Sequence, residues 1–461
     1  MARVSADSGA GLRRPLRAAG LRSLVAALAA VAAVRAVVAA QQWIVDDDGP
    51  ADFSYLQSAV DAYYVHSGDV ILVRPGRYLG NVVVGSKDLV ILSEAGPFAT
   101  VLDAQGSGSA IVLTNRSAAT RIEGFTVTGG RDQIGGGIYV YGGAPVITRN
   151  LIVDNEAVGG YLGYGYGGGI EVYSAAPTIT HNVIRGNTAL DGGGGIDVYY
   201  AGPSTSGTCC PRIERNTIVG NAVTSPSGRG GGILVFASAP VVGANVLLAN
   251  HAAAGGGLFV EKVQGNPDVP DVTDDVFHGN VPDAADSSSG WRLPSSNREI
   301  DPRLGAGPGG DVWPRSNSPL LDALPSSTTT TDLSGAAAVQ DSDLDGVAVA
   351  DVGAIEGRGE ITALSLSRHP DWPWVTVLAW DGLVSPAAHF HVLRSVDGPF
   401  VDDGGVCVAG PLGATTHTDG DVPDAEAAFY YLVAGHDVVL GSTGARSDGT
   451  PRPAAQPCPG E

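Results

Sequence analysis

Two carboxyl side chains hold the same position in consecutive copies of a short repeated segment. Glu171 follows Gly-Gly-Gly-Ile at 167–170, and Asp197 follows the same four residues at 193–196. If the segments are neighbouring strands in register, the two residues lie one strand apart, about 4.8 Å. The two carboxylates of a retaining glycosidase are separated by roughly 5–5.5 Å. Glu171 and Asp197 are therefore candidate catalytic residues, although two acids among five such positions need no special explanation in so acidic a chain.

Aromatic residues recur beside these acids. If Ile138 and Val140 face the core, the alternation of a strand makes Tyr139 and Tyr141 face outward. The same alternation in the other repeats predicts two exposed columns of side chains along the repeats. The predicted ligand-binding residues are Tyr139, Tyr141, Tyr173, Tyr199, Phe236 and Phe259, with Tyr164 and Tyr166 walling the groove. Sugar rings can stack on such a ladder. Alternatively, the rings only stabilise the sheet or are covered by the C-terminal domain.

A third pattern has the alternating oxygen ligands of a calcium loop. Asp341, Asp343 and Asp345 alternate, and Asp351 follows close to the twelfth position, where an EF-hand has Glu or Asp and this chain has Val352. A structural calcium ion and a plain acidic turn both remain open, and we expect no required cofactor.

Composition excludes several functions. The formal net charge is -21, and Lys87 and Lys262 are the two lysines of the chain, so no basic stripe can neutralise nucleic-acid phosphates. Neither lysine lies in an acidic cluster, as a calcium-dependent lyase base would, and the histidines fall at different repeat positions. The acidic charge is compatible with a polysaccharide or cell-surface glycan as partner, although it also simply favours solubility, and we expect a monomer.

The elements that position these residues form a repeat of about 30 residues. Each copy combines a Gly triplet with two Asn that frame an apolar run, as in Asn150-Leu-Ile-Val-Asp-Asn155. The runs are short, β-branched and bounded by Gly, Pro or Asn, which predicts strands that must stack to bury their apolar faces. A recurring Asn suits a left-handed corner and can bond its equivalent in the next coil.

These Gly-Gly-Gly-Ile and Ile/Leu-x-x-Asn elements resemble those of secreted right-handed parallel β-helix proteins with the pectin-lyase-like fold. The resemblance implies an all-β right-handed parallel β-helix (solenoid), with a short capping helix at about 54–64. Polygalacturonases have a similar fold, but their Asn-Thr-Asp, Asp-Asp, Gly-His-Gly and Arg-Ile-Lys motifs are missing from this sequence. Residues 318–356 resemble the terminal segment of bacterial β-helix proteins that often carry surface-sorting tails.

The predicted domains are a signal peptide at 1–40, the β-helix with its helical cap at 41–300, a terminal segment at 301–357, and a β-sandwich at 358–461. The arginines before the apolar run 24–34, and the small residues up to Ala40, are typical of a secretory signal, so we expect a secreted or cell-surface protein with no membrane span after cleavage. Residues 358–461 alternate like strands and resemble a fibronectin type III-like module. In an oxidising compartment we favour a Cys407–Cys458 disulfide, since the adjacent Cys209 and Cys210 cannot easily bond to each other.

The leading hypothesis is an exported, non-enzymatic β-helix protein that binds glycans or acts as an adhesin. The rivals are a polysaccharide lyase or glycoside hydrolase that uses Glu171 and Asp197, and a purely structural spacer.

Overall fold

The computed structural model describes residues 40–160, 163–204, 209–288, 290–307, 310–315, 318–324, 332–333 and 350–355, and six strands within 363–436. The predicted signal peptide falls almost entirely outside the described residues, as do Asp341, Asp343, Asp345 and Cys458.

Three long parallel sheets run side by side along residues 42–299, and the chain visits them in turn to give a solenoid of about eight coils. Sheet 1 contains Gln42–Val45, Val70–Val73, Val90–Ser93, Arg121–Glu123, Val146–Thr148, Thr178–Thr180, Arg212–Glu214, Val241–Gly243 and Asp271–Thr273. Sheet 2 contains Gly76–Leu79, Thr100–Asp103, Thr126–Thr128, Leu151–Val153, Val183–Arg185, Thr217–Val219, Val246–Leu248, Val276–His278 and Arg298–Glu299. Sheet 3 contains Val82–Val84, Ile111–Arg116, Ile138–Gly143, Ile170–Tyr173, Ile196–Tyr199, Ile233–Phe236, Leu258–Glu261 and Ala285–Ser287.

A short corner sheet lies between sheets 2 and 3 in each central coil. Its strands are Arg131–Asp132, Glu156–Ala157, Thr188–Ala189 and Ala222–Val223. The Gly triplets follow this corner, and their backbones pack closely from coil to coil. A Cβ at Gly168 would lie 2.3 Å from the Thr188 carbonyl oxygen, so a larger residue cannot fit without moving the backbone.

The core is a set of aliphatic columns, one residue per coil. On sheet 3, Ile138, Ile170 and Ile196 pair in register and are fully buried, as are the isoleucines at the centre of sheet 1. The β-branched side chains fit the pleated, closely stacked strands, which explains why this apolar pattern folds as a solenoid.

Two buried asparagine ladders hold the turns between coils. The first contains Asn150, Asn182, Asn216, Asn245 and Asp275, and the second contains Asn155, Asn187, Asn221, Asn250 and Asn280. Within the ladders, each Nδ2 donates to the Oδ1 of the next coil. The predicted bonding is therefore present, but the predicted left-handed conformation is not at the asparagines. It lies at the residue before each one, such as Arg149 (φ 55°) and His181 (φ 54°), which turns the chain so that the Asn points inward.

The helix predicted near the N-terminal end of the solenoid spans Leu56–Asp61. Its buried residues Leu56, Ala59 and Val60 join the apolar core of the first coils. No helix in the described part of the chain has both the length and the apolar character needed to cross a bilayer.

The described parts of residues 304–355 pack against the side of the solenoid. They include the antiparallel pair Leu304–Gly307 and Gly310–Pro314. Val312 and Ile355 pack with Leu151 and Val183 of sheet 2, and the Ala354 amide donates to the Thr217 hydroxyl over 3.1 Å. This segment therefore covers the apolar outer side of sheet 2.

Two three-stranded antiparallel sheets follow. One contains Ala363–Arg368, Thr376–Asp381 and Thr416–Asp419, and the other contains His389–Ser395, Val406–Leu412 and Tyr430–His436. The predicted fibronectin-like sandwich requires these sheets to pack face to face, and the side chains that would form that packing lie outside the described residues.

The structure places the sulfur atoms of Cys209 and Cys210 in contact across a cis peptide bond, whereas we expected these sequence neighbours not to pair. The predicted partners Cys407 and Cys458 have no described side chains.

Candidate functional site

Sheet 3 places the predicted residues in two columns with the expected register. The inner column contains Tyr139, Glu171, Asp197, Leu234 and Phe259, and the outer column contains Tyr141, Tyr173, Tyr199, Phe236 and Glu261. The alternation of inward and outward residues in a strand, counted from the buried isoleucines, therefore predicted the register of these side chains correctly across five coils.

The outer column forms a continuous aromatic stack. The ring centroids of Tyr141 and Tyr173 are 5.6 Å apart, those of Tyr173 and Tyr199 are 5.4 Å apart, and those of Tyr199 and Phe236 are 4.7 Å apart. The interplanar angles are 27°, 25° and 15°, so neighbouring rings cover each other's faces. The rings within the stack thus present their edges, and not their faces, to a ligand.

The inner column differs from the prediction because most of it is buried. Glu171 is 2% exposed and Asp197 is 0% exposed. The cause is the segment before each Gly triplet, where Tyr166, Gly192 and Arg229 are joined by parallel bridges into a strip. This strip lies directly on the inner column, since a Cβ at Gly192 would be 2.4 Å from Leu234 Cδ2.

Glu171 and Asp197 are paired in register on adjacent strands. Glu171 Oε2 and both carboxyl oxygens of Asp197 are buried, and the two carboxyl groups hydrogen-bond each other. Burial raises the pKa of Glu171 well above its usual range, and the neighbouring Asp197 carboxylate raises it further. Burial also raises the pKa of Asp197 to about 7. The buried pair therefore holds on to its protons to a higher pH than two exposed carboxyl groups would.

A cavity of about 690 Å³ opens over this carboxyl pair. Of the predicted site residues, those that line it are Tyr164, Tyr166, Glu171, Tyr173, Asp197, Tyr199 and Phe236. Tyr164 is 54% exposed, and its ring stacks beside that of Tyr166 with 6.3 Å between centroids. This pair lines the same cavity as Tyr173 and Tyr199 of the outer column, and its role as a groove wall stays a prediction.

Three predicted ligand residues lie outside the cavity lining. Tyr139 and Tyr141 occupy the coil before it, where Tyr141 ends the aromatic stack. Phe259 is 4% exposed beneath the Arg229 guanidinium, whose carbon lies 5.2 Å from the ring centroid.

The cavity also contains charged residues that were not among the predicted site residues. Arg229 Nη1 lies 2.5 Å from Glu261 Oε2, and the Asp191 carboxylate accepts a hydrogen bond from the Gly165 amide over 3.0 Å. Arg229 occupies the same pre-triplet position as Tyr166, which is a signal that a closer comparison of the repeats could have found.

The predicted metal ligands are not brought together by the described residues. Asp341, Asp343 and Asp345 lie outside them, and Asp351 is buried, where its carboxylate accepts the Asp322 amide proton over 2.7 Å. The calcium loop therefore stays a prediction.

The carboxylates of Asp46, Asp47 and Asp48 lie within 4.8 Å of one another in the first coil. Arg74 already binds this group, with 2.9 Å between its Nη1 and Asp46 Oδ2. The hydrogen bond from Arg74 lowers the pKa of Asp46. This cluster is thus an ion-paired turn at the start of the solenoid.

Comparison with known proteins agrees with this architecture. Residues 100–290 match the family model described as a right-handed β-helix region. A cell surface glycoprotein of Methanothermus fervidus is 28% identical over 113 residues, which are 24% of this chain and 18% of that protein. The match therefore spans far less than two thirds of the relative. The solenoid defines the chain as a right-handed β-helix protein.

Two solved structures resemble the chain at low identity. A pectin methylesterase from Aspergillus niger has a TM-score of 0.33 and 12% identity, covering 57% of this chain and 92% of that one. A pectin methylesterase from carrot has a TM-score of 0.29 and 13% identity, covering 59% and 92%.

Proposed function

We propose that this protein is an exported surface or secreted protein that binds a carbohydrate in the cavity over Glu171 and Asp197. The observation that carries the proposal is the composition of that cavity. Ligand sites are concave and largely apolar, with a few polar groups that fix orientation. Here Tyr164, Tyr166, Tyr173 and Tyr199 line the cavity together with the carboxyl pair.

The sequence suggested that the aromatic stack binds sugar rings directly, but the stack supports the site by stabilising the sheet beneath it. Its rings cover each other's faces, so their main contribution is to stabilise sheet 3. Tyr164 is the aromatic residue at the cavity with the most freedom to receive a sugar ring, because it is exposed and its single ring neighbour among the described residues is Tyr166.

Export rests on two observations. Residues 1–40 have the pattern of a secretory signal, and the chain shares a 113-residue similarity with a protein named as a cell surface glycoprotein. A strongly acidic surface suits an extracellular protein that stays soluble near neutral glycans.

A glycan-array screen followed by calorimetry tests the proposal with three tyrosine variants. Tyr164→Ala should abolish or strongly weaken binding, while Tyr141→Ala should leave it intact because Tyr141 lies outside the cavity lining. Tyr63→Ala is the matched control, since Tyr63 is 88% exposed and also lies outside that lining. If the wild-type protein binds no glycan, the proposal is wrong; if Tyr141→Ala alone abolishes binding, the site is the ladder and not the cavity.

A second candidate function is hydrolysis or lysis of a polysaccharide by the same cavity. The observation that favours it is the buried carboxyl pair, in which both pKa values are raised and that of Asp197 is about 7, since a raised carboxyl pKa is typical of a general acid. Incubation of the wild-type protein with bound glycans, followed by chain-length measurement, tests it. Shortening that Glu171→Gln prevents would support catalysis, and unchanged chain length in the wild type would leave binding alone.

A further inference from the structure

The first coil has an edge strand in each of the three long sheets at the N-terminal end of the solenoid. Gln42–Val45, Gly76–Leu79 and Val82–Val84 are the outermost strands of sheets 1, 2 and 3 at that end. An edge strand has outward N–H and C=O groups that can pair with a strand of another chain. Leu79 and Val83 are 56% and 45% exposed, so this edge is also partly apolar. Such an edge promotes association between chains unless it is blocked.

On sheets 1 and 2 the outward amide of the edge strand is bound by an aspartate. Asp52 Oδ2 accepts a hydrogen bond from the Ile44 amide over 2.8 Å. The Ile44 carbonyl oxygen accepts the Asp52 and Phe53 amide protons, each over 3.1 Å, so both backbone groups of Ile44 are occupied. On sheet 2, Asp47 Oδ2 accepts from the Arg77 amide over 3.2 Å. The turn that follows the first strand therefore covers two of the three edges.

On sheet 3 the same role falls to a glutamine of the helix Leu56–Asp61. Gln57 Oε1 accepts from the Val83 amide over 2.7 Å, and Gln57 Nε2 donates to the Val83 carbonyl over 3.2 Å. The preceding amide, that of Val82, points the other way and donates to the Ala110 carbonyl of the next coil over 2.9 Å. Gln57 thus occupies the backbone groups that a further strand would use.

We propose that Asp47, Asp52 and Gln57 form an edge cap that prevents the first coil from pairing with a strand of a second copy of this chain. Water can satisfy the outward groups of an exposed edge, so the three side chains are not needed for that purpose alone. Their effect is on an approaching strand, which must displace a bonded side chain before it can pair with the edge. The inference concerns assembly and does not depend on carbohydrate binding.

Sedimentation velocity of the whole chain over a range of concentrations tests the inference. The wild type should sediment as a single monomeric species. The triple variant Asp47→Ala, Asp52→Ala, Gln57→Ala should form dimers or larger oligomers whose share grows with concentration. A folded triple variant that stays monomeric overturns the inference, and so does a wild type that associates to the same extent.

A matched control separates the lost hydrogen bonds from the lost charge. The double variant Asp47→Asn with Asp52→Asn removes the same two charges as the triple variant but keeps an acceptor oxygen at each position. It should sediment like the wild type. Association as strong as that of the triple variant would show that charge alone keeps the chains apart, which contradicts the edge cap.

Single alanine variants decide the question if the triple variant does not fold, because each keeps two of the three side chains. In Gln57→Ala, hydrogen exchange at the Val83 amide should become faster by on the order of fivefold to tenfold, with no change at Ile44. Asp52→Ala should show the opposite pattern. Unchanged exchange at the uncapped strand, or single variants that all sediment like the wild type at every concentration, would then overturn the inference.

Discussion

Glu171 and Asp197 are direct partners on adjacent strands of sheet 3, and both are buried where the pre-triplet strip covers the sheet. Their neighbours in the same column are Tyr139, Leu234 and Phe259, which are apolar or aromatic. An apolar column would bury this position with less desolvation, so the two acids weaken the fold locally.

The pair makes stability depend on pH. Both folded-state pKa values lie above their ordinary values of 4.5 and 3.8, with Asp197 at about 7. The native state therefore holds more protons than the unfolded state, and the free energy of unfolding falls as pH rises from about 4 through the folded pKa values. We expect Glu171→Gln with Asp197→Asn to be more stable than the wild type at pH 8, by on the order of 1–3 kcal/mol, and nearly equal to it at pH 4.

Urea denaturation of both proteins across that range measures the effect. Asp275 titrates in the same range but is present in both proteins, so the difference between them isolates the pair. A difference that stays constant with pH would contradict the raised pKa values.

Asp275 is an exception within the first asparagine ladder. Its Oδ1 accepts from Asn245, but its Oδ2 is buried without a partner among the described residues, where an asparagine would place a donor. Burial raises the pKa of Asp275 to about 7. We expect Asp275→Asn to raise the free energy of unfolding at pH 8 by about 1–3 kcal/mol, the cost of an unsatisfied buried group. The reverse change, Asn245→Asp, should destabilise the protein, and the opposite order of the two variants would count against this account.

The asparagine ladders should be more sensitive to substitution than surface amides. Asn216 donates to the Ile179 and Glu214 carbonyls and to Asn245 Oδ1, and its own Oδ1 accepts the amide and side-chain protons of Asn182. Asn216→Ala leaves several of these groups unsatisfied, so we expect a loss of at least about 3 kcal/mol. Asn266→Ala, which removes a 3.3 Å bond to the Ala237 carbonyl and a 2.8 Å bond from the Asp268 amide on a half-buried side chain, should cost less, about 1–2 kcal/mol. Thermal and urea denaturation of both variants would compare them, and equal losses would show that the ladder is not a major source of stability.

The register of sheet 3 could be predicted from the sequence because its strands alternate between inward and outward residues. The buried isoleucines and the Gly triplets show where this alternation starts in each coil, and so which side chains align. It did not predict the burial of Glu171 and Asp197. Their burial depends on the strip through Tyr166 and Gly192, which follows loops of different length and composition in each coil. For the same reason Arg229 was missed, since its contact with Glu261 joins a corner to a strand, and no periodic pattern records it.

A tyrosine inside the aromatic stack should contribute more to stability than the tyrosine at its end. Tyr173 stacks on both Tyr141 and Tyr199, whereas Tyr141 is 42% exposed and has Tyr173 as its stacked neighbour. Each aromatic pair contributes about 0.5–1.5 kcal/mol beyond its buried area. Tyr173→Ala should therefore destabilise the protein more than Tyr141→Ala, by at least about 1 kcal/mol in urea denaturation. Tyr141→Phe, which retains the ring, should match the wild type. Equal losses for the two alanine variants would mean that the stack does not act as a cooperative column.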